Sequence, residues 1–134
     1  MLGQLEADQH AAVVADMEAG VGNLTRMQAG SVDLVLLVTE PSPRSIEVSR
    51  RAAEIIDERQ VGPVLVVANK VRSAEDVARI QAGLTGCEVV MVPEDPAVQR
   101  ADRDAVSPLG LEPASPAVQA VRELAYRLAA APSS

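Results

Sequence analysis

Val64-Leu65-Val66-Val67-Ala68-Asn69-Lys70-Val71-Arg72 is the stretch that decides the fold. Its first five residues are apolar without a polar alternate. A strand with one wet face would alternate; an unbroken run belongs to a strand covered on both faces, as in a parallel sheet. The run then closes on an amide, a cation and, after Val71, a second cation. In an open parallel sheet ligands sit beyond the carboxyl ends of the strands. Asn69 and Lys70 are therefore placed where chemistry is expected.

Working outward, three further runs of the same kind lie at residues 11–15, 32–38 and 87–92. Helical patterns separate the later ones. Ser42 offers an N-cap with Pro43 at the first helical position, and Ile46, Ala53 and Ile56 follow at helical spacing towards Arg59. Ser73-Ala74-Glu75-Asp76 is a variant capping box with Asp for Glu, and Val77, Ile80 and Leu84 share one face behind it. A last helix begins near Ser115-Pro116 with the stripe Val118, Val121, Leu124, Ala125 and Leu128. Residues 93–113 hold several prolines and acids with little periodicity, which reads as an ordered loop with one short helix over 97–104. Strand–helix–strand alternation predicts right-handed βαβ units. The expected fold is α/β, a three-layer αβα parallel sheet of Rossmann-like type, with residues 1–134 as a single unit.

Composition bounds the function classes. The chain has 134 residues, 48% of them hydrophobic, with no Phe or Trp and only Tyr126 among the aromatics. The core must be Val, Leu, Ile and Ala. A net charge of −7 opposes a nucleic-acid groove, which needs clustered Lys and Arg, and opposes adhesion to an anionic membrane. Cys87 is the single cysteine, so no internal disulfide or all-cysteine metal site is expected. No apolar run approaches the roughly 20 residues of a membrane span, and no basic segment leads into a long apolar stretch. The expectation is a cytoplasmic protein with no nucleic acid partner and no membrane span.

Two constellations carry chemistry. The run Val13-Val14-Ala15-Asp16 continues into Met17-Glu18-Ala19-Gly20, with Gly22 beyond. A carboxylate at a strand end can hold magnesium through water or orient a nucleophilic water, and the glycines let the loop approach phosphate. The plainer reading has Asp16 capping the segment that follows. Asn69-Lys70-Val71-Arg72 resembles the Asn-Lys-x-Asp of GTP-binding proteins, but the guanine-reading Asp is replaced by Arg72. Asn69 could pair with the N6 and N7 edge of adenine, since an amide both donates and accepts; the plainer reading is an Asn that turns the chain out of its strand. Pro93-Glu94-Asp95-Pro96 would lie beside Asn69 on the same sheet edge and wall a base pocket, or simply form a turn. Cys87 reads as a small buried hydrophobe and His10 as a surface residue. No metal site is expected.

Taken in order, Val13-Val14-Ala15-Asp16-Met17-Glu18-Ala19-Gly20, Val32-Asp33-Leu34-Val35-Leu36-Leu37-Val38-Thr39-Glu40-Pro41, Arg44-Ser45-Ile46-Glu47, Asn69-Lys70-Val71-Arg72 and Val92-Pro93-Glu94-Asp95-Pro96-Ala97-Val98-Gln99-Arg100-Ala101-Asp102 resemble the MinD/ParA-type P-loop ATPases. The resemblance is nearest to the CooC branch, the nickel-insertion accessory ATPases of carbon monoxide dehydrogenase, and runs from about residue 12 to residue 128. It implies ATP and Mg²⁺ as cofactors, ATP hydrolysis in the whole family member, and a homodimer whose nucleotide state switches contact with a client metalloenzyme. It makes Asp16 the acid of the switch segment, Glu18 to Gly20 the switch, Asn69 with Lys70 the base-reading pair, and Pro93, Glu94 and Asp95 the flank of the base.

The departures shape the expectation equally. The chain contains no Gly-x-x-x-x-Gly-Lys-Ser/Thr, and Lys70 is its only lysine. It has no Cys-x-Cys, and Gly22-Asn23 stands where the family often has Glu-His. It therefore reads as the C-terminal portion of such a domain, N-terminally incomplete, not hydrolytic alone and binding nucleotide weakly unless a P-loop-bearing partner chain completes it. A non-catalytic interaction module that keeps the fold is the alternative. A phospho-receiver using Asp16, Thr39 and Lys70 is a further one, although the acidic pair after the first strand and the Pro after the lysine are missing.

Overall fold

The computed structural model describes residue 24 and residues 26–111 and 115–130. Among these, three strands form one sheet in the order β1-β2-β3: β1 (Val35–Thr39), β2 (Val64–Val71) and β3 (Glu88–Pro93). Both pairings are parallel, with Leu37 opposite Val66 and Val66 opposite Val89. Three of the four unbroken apolar runs are thus parallel strands, although the run at 32–38 enters its strand only at Val35. The run at 11–15, with Asp16, Glu18 and Gly20 beyond it, lies outside the described residues.

The helices follow the sequence signals. Helix α1 (Pro43–Glu58) starts at Ser42, whose Oγ accepts from the Ser45 N–H at 3.2 Å, with Pro43 at the first position. Helix α2 (Ala74–Gly83) starts at Ser73, whose Oγ accepts from the Asp76 N–H at 3.4 Å. The Asp76 carboxylate reaches back not to Ser73 but one residue further, accepting from the Arg72 N–H at 2.9 Å. The region after β3 is more helical than its sequence suggests: α3 (Pro96–Arg103) is joined by a single turn, α4 (Pro108–Leu111), before α5 (Pro116–Ala130).

Strand alternation sorts the core into two layers. Val66, Ala68 and Val71 of β2 face Ile80 of α2, Leu84 at its C-terminal cap, and Ile46 and Ala53 of α1. Val67 and Val92, on the opposite face, meet Ala117 of α5, with Val98 of α3 and Leu124 of α5 alongside. Helices α1 and α2 therefore cover one face and α5 the other, which gives the three-layer αβα architecture. Cys87 is half-buried and packs into the first layer, just before β3 begins. On β1, Thr39 is fully buried and its hydroxyl donates to Ser49 Oγ of α1 at 2.6 Å.

Candidate functional site

The carboxyl ends of β2 and β3 open into a cavity of about 280 Å³, at the small end of the range for small-molecule sites. Asn69, Lys70, Pro93, Glu94 and Asp95 all line it. The two sequence motifs, some 25 residues apart in the chain, are brought together because β2 and β3 are adjacent parallel strands ending at one edge. The remaining wall is apolar and comes from the helices: Val98 from α3, Leu109 from α4, Val118 and Val121 from α5. Gln99 of α3 adds a second amide. The helical lining could not be read beforehand, because it depends on how α3, α4 and α5 return over the strand ends.

Backbone irregularity aims the polar residues. Between Ala68 and Val71 the β2–β3 register slips: Ala68 pairs with Met91, but Val71 pairs with Pro93, so β2 carries one extra residue. This is a β-bulge, which redirects side chains at the end of a strand. Lys70 sits within it at φ 58°, in the left-handed region, where a residue with a Cβ costs about 1–2 kcal/mol. The ladder resumes with the Glu94 N–H donating to the Val71 carbonyl at 3.0 Å. Asn69 is half-buried at the cavity, and among the described residues its carboxamide has no hydrogen-bond partner.

The charged groups around the cavity are all engaged. Lys70 Nζ lies 3.6 Å from Glu40 Oε1, at the end of the neighbouring strand β1. Arg72 grips Glu94 with a two-pronged guanidinium–carboxylate contact, the longer arm 3.2 Å from Nη2 to Oε1. Hydrogen bonding to Arg72 holds the Glu94 carboxyl below its ordinary range. Asp95 is buried, and its two oxygens serve two helices: Oδ1 accepts from the Ala97 N–H of α3 at 2.9 Å, and Oδ2 accepts from the Ala117 N–H of α5 at 3.2 Å. Those two backbone bonds, followed by Ser115 and the nearby charge of Arg100, hold the Asp95 carboxyl below its ordinary value against the opposing effect of burial.

Asp16, Glu18 and Gly20, the residues expected to form the switch, lie outside the described residues. Among the described residues no group of three or more His, Cys, Asp or Glu side chains could hold a metal ion, and no helix is long and apolar enough to cross a membrane. Thr39 points into the layer beneath α1 and not out at the strand ends, which is the wrong placement for the threonine of a phospho-receiver.

No family model matches the chain. Individual proteins do. It is 33% identical over 107 residues to the carbon monoxide dehydrogenase accessory protein CooC of Rhodospirillum rubrum, covering 76% of this chain and 39% of that protein. Two uncharacterized ATP-binding proteins of Methanocaldococcus jannaschii are 31% identical over 77 residues and 29% identical over 119 residues, covering 54% and 87% of this chain and 30% and 45% of theirs. The chain thus spans less than half the length of these curated relatives. The fold is shared with the MinD cell division protein of Aquifex aeolicus, with a TM-score of 0.57 at 24% identity over 77% of this chain and 46% of that one. Sequence and fold together relate this chain to the MinD/ParA-type P-loop ATPases, on the CooC side of that family.

Proposed function

We propose that the described residues form the base-binding side of an ATP-binding switch domain, and that the base is adenine. One observation carries the reading: an unengaged carboxamide, Asn69, stands in an apolar cavity whose two carboxylates are both already committed. Adenine presents an N6 donor and an N7 acceptor, which one amide satisfies with its oxygen and its NH₂. Guanine offers N1 and N2 donors that call for a free carboxylate. Glu94 is held by Arg72 and Asp95 by two backbone N–H groups, so neither is available to it. Val98, Leu109, Val118 and Val121 supply the apolar walls against which a planar base can pack.

Phosphate binding is not part of this cavity, and the sequence contains no phosphate loop. Affinity of this chain for ATP with Mg²⁺ therefore rests on base contacts and is weak. Hydrolysis, a nucleotide-dependent homodimer and a metalloenzyme client belong to the reading as roles of a whole family member, supported by the CooC relationship alone. Asp16, with Glu18 and Gly20, is the proposed switch acid of that domain.

An ¹H–¹⁵N NMR titration suits weak binding. Adenosine and ATP should shift Asn69, Val98 and Val121, while guanosine at equal concentration leaves them in place. Asn69→Ala should weaken the adenosine response about tenfold, the value of a good bidentate base contact. Equal responses to both nucleosides, or an Asn69→Ala variant that binds as the parent does, would remove the basis of the assignment.

A further inference from the structure

We infer that Asp95 is a positioning residue for the nucleotide cavity, a pin that sets the distance between its two helical walls without touching the ligand. The inference rests on the base-pocket reading above, while its structural half is independent of any nucleotide.

Both oxygens of the Asp95 carboxylate accept from backbone, and the two donors belong to helices 22 residues apart between Asp95 and Ala117. Ala97 is in the first turn of α3 and Ala117 in the first turn of α5. An ordinary N-cap satisfies one helix; this one satisfies two and ties their N-termini to a single side chain. Those helices carry opposite parts of the cavity lining, Val98 and Gln99 from α3, Val118 and Val121 from α5. The side chain itself is buried, and each of its oxygens is already committed to a helix N–H. A carboxylate also fits two helix N-termini electrostatically, since both present partial positive charge to it. Ser115 takes part from the α5 side, where its own Oγ accepts from the Val118 N–H at 3.2 Å.

An amide at this position separates the two bonds. Asp95→Asn keeps one acceptor oxygen and replaces the other with an NH₂ donor, so only one of the Ala97 and Ala117 N–H groups keeps its partner. Ser73→Ala is the control. Ser73 caps α2 in the ordinary one-helix way and lines no part of the cavity.

The test uses the whole 134-residue chain, with amide hydrogen exchange and an NMR titration with ATP and Mg²⁺. In Asp95→Asn, protection at Ala97 or Ala117 should fall while Val66 and Val67 of β2 keep theirs. ATP affinity should drop about fivefold, the equivalent of one lost cap. Ser73→Ala should lose protection in α2 and leave ATP affinity unchanged. An Asp95→Asn variant with parental affinity overturns the inference and leaves the base-pocket reading intact. If the parent chain shows no response to ATP, that reading fails instead, and exchange alone decides: Ala97 and Ala117 protected as in the parent would overturn the pin.

Discussion

Lys70 combines a strained backbone with a place at the cavity. Its φ of 58° is one that glycine adopts freely and a residue with a Cβ does not. Its ion pair with Glu40, at 3.6 Å between exposed groups, contributes at most about 1 kcal/mol. Comparing Lys70→Gly with Lys70→Ala cancels that pair, because both variants lose it. The glycine variant should be the more stable of the two by about 1 kcal/mol, seen as a melting temperature higher by several degrees. Alanine equal to or above glycine would mean that the bulge relaxes out of the left-handed region. The position of Asn69 and Lys70 at a strand end, where the cavity lies, was legible from their place after an apolar run. The role of Asp95 was not. In the sequence Asp95 reads only as part of a pocket wall or turn; its cap on Ala97 and its second partner, Ala117, appear only in the fold, and the latter is set by how the chain folds back. Arg72, read from sequence as the lost guanine contact, proves to be the residue that occupies Glu94.

At the scale of elements, the caps and strand runs were legible because each is a local energetic decision. Ser42 with Pro43 and Ser73 with Asp76 begin helices where their side chains satisfy otherwise orphaned N–H groups. Helix α4 was missed because Pro108-Leu109-Gly110-Leu111 is one turn long and too short to show a period. The contact between α1 and α2 was equally invisible. Gly83, the last residue of α2, meets α1 so closely that a Cβ built on it would stand 2.3 Å from Ile46 Cγ2. No real Cβ contact is that short, so the Ile46 side chain or one of the helices must shift. Gly83→Ala should destabilise the fold by about 1–3 kcal/mol, the usual cost of overpacking. Because the offending atom belongs to one side chain, Ile46→Ala should relieve part of the strain. Melting of both single variants and the double variant forms the cycle: the double should be more stable than the sum of the singles requires. Strict additivity would show that α1 and α2 accommodate the methyl group in some other way.

Across the whole molecule, the direction of acid instability can be worked out from the carboxylates. Asp95, Glu94 and Glu47 all have pKa values lowered in the fold, by backbone N–H groups in the first case and by arginines in the others. A lowered folded value means that the carboxylate stabilises the protein fully above its unfolded pKa of about 4, and that this contribution is lost as pH falls through the folded value. The chain's negative net charge of −7 at pH 7 works the other way, since acidification first relieves repulsion. The sequence pI is about 4.6, so repulsion is least just where the carboxylates start to matter. Two effects of opposite sign therefore meet in one window. Long-range repulsion between exposed charges is screened beyond roughly 8 Å in physiological salt, whereas the Asp95 bonds are buried and specific. At such salt the carboxylates should win: the melting temperature should hold between pH 7 and about 5 and fall below about 4.5. Asp95→Asn isolates the one buried contribution of the three, because the variant lacks the titrating group. It should melt below the parent at pH 7, and the gap should narrow steadily towards pH 3 as the parent's carboxylate takes up its proton. A gap that stays constant with pH would show that the two helix bonds gain nothing from the charge of Asp95.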